Sequence, residues 1–239
     1  NLEIYVMGPD GSNQTNLTNN PAEDIDPAWS ADGSQIVFAS NRETEFSGQY
    51  LYLMNADGSD LRQLTFYEPN SSSPDWSPDG QLITFTSEGD IYIIKANENN
   101  PEAVNLTNTP DMEETHSTWS PDGSMLAWLV GPEGNRQIVV MEMDGGAITK
   151  VTDNGNVNNV EWTVDGRLFA YWDNSQYGCF NCVLNPDGTN VIDAGGKGAI
   201  QEYLPFWTVD GDRVEVVYIE GPNGDNEIVL VGEVFPDIF

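Results

Sequence analysis

The chain has few cations. Eight Lys and Arg stand against 39 Asp and Glu in 239 residues, a formal net charge of −31 spread over the whole length. Binding a phosphate backbone needs clustered cations, so nucleic acid and anionic membrane surfaces are poor partners. Long apolar runs are missing as well: "MLAWLV" and "IVLV" fall far short of the roughly 20 residues that cross a bilayer as a helix. No basic n-region or apolar h-region precedes Asn1, which already stands in the strand-like "NLEIYVM". A signal peptide is therefore either cleaved or lies outside this sequence, and the numbering is compatible with part of a longer protein.

Other scarcities narrow the chemistry. His116 is the one histidine, and the two cysteines, Cys179 and Cys182, share the loop "GCFNC". Zinc usually takes four Cys or His ligands, so this pair reads as structural, bridged or free. G-x-S-x-G, H-E-x-x-H, a P-loop, G-x-G-x-x-G and a D-x-[DN]-x-[DN]-G-x₅-E calcium loop are all absent. What the acidity favours is solubility, cations, basic partners or a salty milieu. An apolar share of 38% and an aromatic share of 10% are those of a folded chain.

What is present in abundance is repetition. "DPAWSADGSQIVFAS", "SPDWSPDGQLITFTS", "HSTWSPDGSMLAWLV", "NVEWTVDGRLFAYWD" and "LPFWTVDGDRVEVVY" are one phrase spoken five times, and Trp29, Trp76, Trp119, Trp162 and Trp207 mark it at spacings of 47, 43, 43 and 45 residues. A period in that range points to propeller blades of four strands. Each Trp is followed by an Asp-Gly turn, from Asp32-Gly33 to Asp210-Gly211, which is a strong hairpin signal. Past each glycine, Ile36/Phe38, Ile83/Phe85, Leu126/Trp128, Phe169/Tyr171 and Val214/Val216 alternate with period two, the mark of a second strand. A third strand ("IYVM", "LYLM", "IYII", "IVVM", "NCVL", "IVLV") and a short fourth one ending in "LT" at Leu17, Leu64 and Leu106 complete the unit.

The expected fold is all-β, a β-propeller of four-stranded antiparallel blades occupying 1–239 as a single domain. Twenty-one strands are expected, against the twenty of five blades and the twenty-four of six, so five is favoured and six is the alternative. In the five-bladed reading residues 1–18 carry the N-terminal strands that close the ring with the last blade, "NQTNLT" as its outer strand and "LEIYVM" left as an extension. Stacked sheets bury both faces, so the repeated Trp, Asp and Gly are first of all architectural. The sequons at Asn13, Asn16, Asn70 and Asn105 read as repeat grammar, two of them arising from "NLT" itself.

"PDWSPDGQLITFTS" followed by "DIYIIKANENNPEAVNLT" resembles the TolB-type, WD-like β-propeller repeat, and the resemblance runs over essentially the whole chain. It implies a secreted, periplasmic or cell-surface protein whose propeller holds a partner at one end of its channel. "WTVDG" in the fourth and fifth copies and "KANENN" in place of an Asp-Gly turn depart from the family pattern, and one scaffold hosts many activities.

In a rotational repeat, equivalent positions form rings. Five residues before each Trp stand Asp24, Ser71, Glu114, Val157 and Glu202; three before stand Asp26, Ser73, His116, Asn159 and Leu204. Asp24, Asp26, Glu114, His116 and Glu202 are therefore the candidate ligand-binding residues at the channel mouth, with Asp24, Glu114 and Glu202 as candidate metal ligands. No cofactor is required by the sequence; converging carboxylates suit a hard cation such as calcium, or a Lys or Arg from a partner, and a solvated acidic rim is the bland counterpart. Phe46, Tyr67 and Tyr177 in longer loops are candidates to stack on the sugars of a glycan partner or to anchor a peptide. Residues beside His116 point to the opposite face of a strand, so "ETHST" is no triad. The leading reading is a non-catalytic binding propeller presenting an acidic mouth to a cation, a basic peptide or a protein partner. The alternatives are a polysaccharide-acting enzyme using the same mouth, and a structural module of a larger surface protein.

Overall fold

The structure is a computed structural model that describes residues 1–8, 12–42, 48–153, 155–172 and 181–193, with Trp172 and the segments 206–210, 213–219 and 228–234 described as backbone. Strands alone are found among these residues, and no helix long and apolar enough to cross a membrane occurs among them. The chain divides into two compact units, Asn1–Trp119 and Ser120–Phe239.

Unit 1 opens with β1 (Tyr5–Val6) and β2 (Thr15–Asn16), which pair antiparallel with Tyr5 opposite Asn16. β1 is thus held in a sheet, where the sequence leaves it as an extension. The first repeat is the sheet β3 (Asp24–Trp29), β4 (Gln35–Ser40), β5 (Tyr50–Asn55) and β6 (Arg62–Gln63). The second is β7 (Ser72–Trp76), β8 (Leu82–Ser87), β9 (Asp90–Lys95) and β10 (Val104–Asn105). β11 (Glu114–Trp119) opens the third repeat and ends the unit. Unit 2 holds the rest of that repeat, β12 (Met125–Val130), β13 (Gln137–Glu142) and β14 (Thr149–Lys150). The fourth repeat is β15 (Val157–Trp162), β16 (Leu168–Trp172), β17 (Asn181–Leu184) and β18 (Ile192–Asp193); the fifth is a three-stranded sheet, β19 (Phe206–Asp210), β20 (Arg213–Ile219) and β21 (Ile228–Val234).

Period-two alternation in the second strand serves two cores, not one. Ile36 and Phe38 pack with Ile4, Tyr50, Tyr52 and Met54, while Val37 and Ala39 face the other way into a cluster with Trp76, Ile83, Phe85 and Ile94 of the second repeat. In unit 2 a like cluster joins Ala127, Leu129, Ile138 and Val140 to Val157, Val160, Trp162 and Leu168. Burying apolar surface on both faces at about 25 cal/mol per Å² is what a lone four-stranded sheet cannot do for itself.

The repeated words are hydrogen-bond devices. In the Trp-Ser-x-Asp-Gly turn, Ser30 Oγ donates to Asp32 Oδ1 (2.7 Å) and accepts from Gln35 N (2.9 Å), while Ser34 N and Oγ also donate to Asp32 Oδ1. The second and third repeats copy it: Ser77 and Ser120 donate to Asp79 and Asp122. Thr163 donates to Asp165 in the fourth, so "WTVDG" keeps the hydroxyl that matters. Gly33 closes the turn at φ +69°, and a Cβ there would meet nothing within 4 Å, so its requirement is conformational and not spatial. The threonine of "LT" works likewise. Thr18, Thr65, Thr107 and Thr152 Oγ1 accept from Ile4, Leu51, Ile91 and Ile138 N at 2.9–3.1 Å, tying the fourth strand to the third.

Candidate functional site

The first strands of the first, second and fourth repeats begin with an irregularity at the candidate positions. Pairing of β3 with β4 skips from Ile25 to Ala28, and that of β7 with β8 skips from Ser72 to Asp75, so Asp26 and Ser73 sit in bulges. Both have positive φ, +51° and +48°, and His116 shares the conformation at +55°. Non-glycine residues are held there at a cost of roughly 1–3 kcal/mol, which needs a compensating contact. Asp26 supplies one: its Oδ2 accepts from Ser73 N (2.9 Å), linking the bulges of the first two repeats. His116 Nδ1 lies 2.8 Å from Thr115 Oγ1.

Among the described residues, those five before each Trp are buried. Asp24 is enclosed, and both its oxygens are engaged: Oδ1 with Arg42 Nη2 (2.7 Å) and Oδ2 with Asn20 Nδ2 (2.7 Å). Arg42 lies over the rings of Phe38 and Tyr52, 5.1 and 4.6 Å from their centroids, and its Nε donates to Ser40 Oγ (2.9 Å). Asp24 therefore takes an arginine from its own blade. Sequence reasoning missed Arg42, although the register offered a signal: Asp24 stands opposite Ser40, two residues away. Glu114 is also buried, its N donating to Gly89 O (2.8 Å). In unit 2 Val157 and Asn159 are buried, and neither side-chain atom of Asn159 has a hydrogen-bond partner. Glu202, with Leu204, lies outside the described residues. Among the described residues no three His, Cys, Asp or Glu side chains form a metal-binding group.

What faces solvent at this end of unit 1 is the loops leading into β7 and β11. Both are anchored on the β8–β9 turn: Ser87 Oγ donates to Pro69 O (2.8 Å), Thr109 N and Asn105 Nδ2 donate to the Asp90 carboxylate, and Glu114 N reaches Gly89 O. From these fixed bases Tyr67 projects with 90% of its surface exposed, Phe66 is exposed beside it, and Met112 is 55% exposed. Glu88, Asp111 and Glu113 are exposed around them and Glu68 partly so. From Gln63 to Asn135 Lys95 is the single Lys or Arg. Phe66 and Met112 were missed in the sequence, where "LTFYEPN" and "LTNTPDMEE" show apolar residues stranded between turn formers. Phe46 and Tyr177 lie outside the described residues.

The opposite end of unit 1 carries the Asp-Gly turns and a cleft of about 390 Å³ lined by residues that include Asp32, Gln35, Trp76, Asp79, Gln81 and Asn97. Its carboxylates are occupied by their own turns. Hydrogen bonds from Ser34, then Ser30, hold the Asp32 carboxyl down at about 2, and the Ser77 hydroxyl lowers that of Asp79. In unit 2 Asp122 is held at about 2 by the Ser124 amide and hydroxyl and by Ser120. Cys182 is disulfide-bonded; Cys179 lies outside the described residues.

Residues 1–90 match the family model of the TolB beta propeller domain. No curated protein matches the chain. Among solved structures it is similar to a TolB-assigned protein from Agrobacterium tumefaciens, with 22% identity and a TM-score of 0.67 over 89% of this chain and 76% of that one. TolB from Acinetobacter baumannii is similar at 18% identity and a TM-score of 0.63, over 91% of this chain and 56% of that one. An oligogalacturonate lyase in complex with manganese follows at 14% and 0.66, over 97% and 67%. At such identities the likeness shows the fold, a β-propeller of four-stranded antiparallel blades, here with five repeats.

Proposed function

We propose that this chain, whose residues 1–90 match the TolB beta propeller domain family, is a non-catalytic binding propeller acting outside the cytoplasm, as a secreted, cell-surface or periplasmic protein. The partner is a Lys- or Arg-rich peptide or protein segment carrying an aromatic or apolar residue. The observation that carries this reading is Tyr67, 90% exposed on an anchored loop among Glu68, Glu88, Asp111 and Glu113. An exposed ring on a fixed base loses little freedom when covered, and the carboxylates around it supply attraction and orientation. The disulfide at Cys182 fits an oxidising compartment.

Fluorescence anisotropy with labelled 12–15-residue peptides tests this. A basic peptide containing Trp or Phe should bind more tightly than its Lys→Glu counterpart, more weakly at 0.5 M than at 0.05 M NaCl, and about tenfold or more weakly to Tyr67→Ala. Equal binding of both peptides, or no effect of Tyr67→Ala, overturns the reading.

Calcium on Asp24, Glu114 and Glu202 is a less supported form of the proposal. A cation there would have to displace Arg42 from a 2.7 Å contact in a buried pocket. We expect no calcium-specific rise in Tm over EDTA at high NaCl; a rise of several degrees would restore the metal site. An enzymatic use of the same end on an acidic sugar chain, such as the oligogalacturonate for which the lyase neighbour is named, would set a polyanion against a chain of net charge −31.

A further inference from the structure

The joints between successive repeats are not built alike. At the equivalent two positions of the second strand, the first repeat has Val37 and Ala39 and the third has Ala127 and Leu129, all in apolar clusters. The second repeat has Thr84 and Thr86. Ile83 and Phe85 face the first repeat, so alternation turns Thr84 and Thr86 toward β11, which packs against β7, β8 and β9. β11 is pinned to the second repeat at both ends, by Glu114 N on Gly89 O (2.8 Å) and by Trp119 N on Asp75 Oδ2 (3.0 Å). Between the pins lies Ser117, whose counterpart in the fourth repeat, Val160, belongs to the apolar cluster with the repeat before it.

Thr84 Oγ1, Thr86 Oγ1, Ser117 Oγ and Trp119 Nε1 are all enclosed with no hydrogen-bond partner from the protein. At the preceding joint the corresponding indole, Trp76, donates to Ala28 O (3.2 Å). Enclosed polar groups without partners cost roughly 1–3 kcal/mol each, so four gathered in one joint call for a ligand. The set defines its class. An indole N–H can only donate, whereas hydroxyls donate or accept; a metal cation is repelled by the first, and an apolar molecule serves neither. A neutral amphiprotic molecule small enough for an inter-sheet joint, with two to four polar neighbours, is water.

We propose that the joint between β8 and β11 is a built hydration site holding at least one long-lived buried water molecule, with the Thr84, Thr86 and Ser117 hydroxyls and the Trp119 indole as its partners.

The test is oxygen-17 magnetic relaxation dispersion on the full chain, which counts long-lived internal waters, with Thr84→Val, Thr86→Val and Ser117→Ala compared with wild type. Valine keeps the threonine's shape, and Ser117→Ala removes a single atom, so a folding failure in one variant leaves the others to decide. The expected result is a count lower by one or more in Thr84→Val or Ser117→Ala, without a rise in Tm. An unchanged count in all three overturns the proposal. So does a Tm raised by several degrees in the valine variants, because that is how a dry joint responds to losing an unpaired hydroxyl.

Discussion

Arg42 keeps the buried Asp24 carboxylate compensated, and Arg42→Met should cost about 3–5 kcal/mol, the usual toll for stranding a buried charge. The contact is 2.7 Å, with the Asp24 side chain fully enclosed and that of Arg42 16% exposed. At an effective dielectric constant of about 20 that separation corresponds to about 6 kcal/mol of attraction, offset by the desolvation of both groups. Seating the guanidinium over Phe38 and Tyr52 adds roughly 0.5–2 kcal/mol that methionine only partly replaces. Against a total stability of about 5–15 kcal/mol the variant remains folded but weakened, with Tm lower by roughly 6–20 °C. Urea unfolding followed by tryptophan fluorescence and far-UV circular dichroism measures the loss. Asp24→Asn with Arg42→Met should recover about 2 kcal/mol or more relative to additivity, and the loss should persist in 1 M NaCl because an enclosed pair is little screened. A cost below about 1 kcal/mol, additive single effects, or disappearance in salt would mean that Asp24 is solvated and open to a ligand, and would refute the reasoning.

Burial pushes the Asp75 carboxyl up to about 6, against the pull of the Trp119 and Trp76 amides. Its folded pKa is above the unfolded value, so the stability linked to its proton is complete below about 4 and is lost as pH rises through 6. The stability of Asp75→Asn relative to wild type should therefore improve by about 1–3 kcal/mol between pH 4 and pH 7, read by paired urea titrations; a constant difference counts against the raised pKa. Thr65→Val strands the Leu51 N–H that Thr65 Oγ1 accepts at 2.9 Å in a buried site, and should cost about 1–3 kcal/mol by the same measurement. Gly33→Ala and Gly188→Ala separate two roles of glycine. Both sites have positive φ, but an added Cβ at Gly188 would lie 2.5 Å from Val151 O while one at Gly33 meets nothing. Thermal melting should show a loss of about 1–2 kcal/mol at Gly33 and a larger one at Gly188.

The fold was legible because its strongest signals are short-range. Trp-Ser-x-Asp-Gly fixes a strand, a turn and the next strand within fifteen residues, and the twenty-one strands among the described residues fall where the repeated words place them. The hydroxyls of Ser30 and Thr65 were visible as letters but not as hydrogen-bond acceptors, since a repeated Ser or Thr looks the same whether it is exposed or locked to a backbone N–H. Less of the site could be read. Counting back from each Trp found Asp24 and Asp26, yet their partners, Arg42 and Ser73, are 18 and 47 residues away and are chosen by register and stacking. The positive φ of Asp26, Ser73 and His116 had no signature at all, because none of the three is glycine. Tyr67 was identifiable because its neighbours in "TFYEPN" belong to no strand pattern.

The tryptophans of the second, third and fourth blades are each committed to the blade before. Trp76 donates to Ala28 of the first repeat, Trp119 is bound by Asp75 of the second, and Trp162 lies in a cluster with Ala127 and Leu129 of the third. Trp29, in the first blade after the short pair β1 and β2, is 45% exposed among the described residues, where Trp76, Trp119 and Trp162 are buried. The array therefore has a direction. Trimming whole repeats from the C-terminal side leaves the cover of Trp76 and Trp119 in place, whereas removing the first repeat uncovers Trp76. A lineage that gains or loses blades by duplication is freer to edit the end farthest from Trp29.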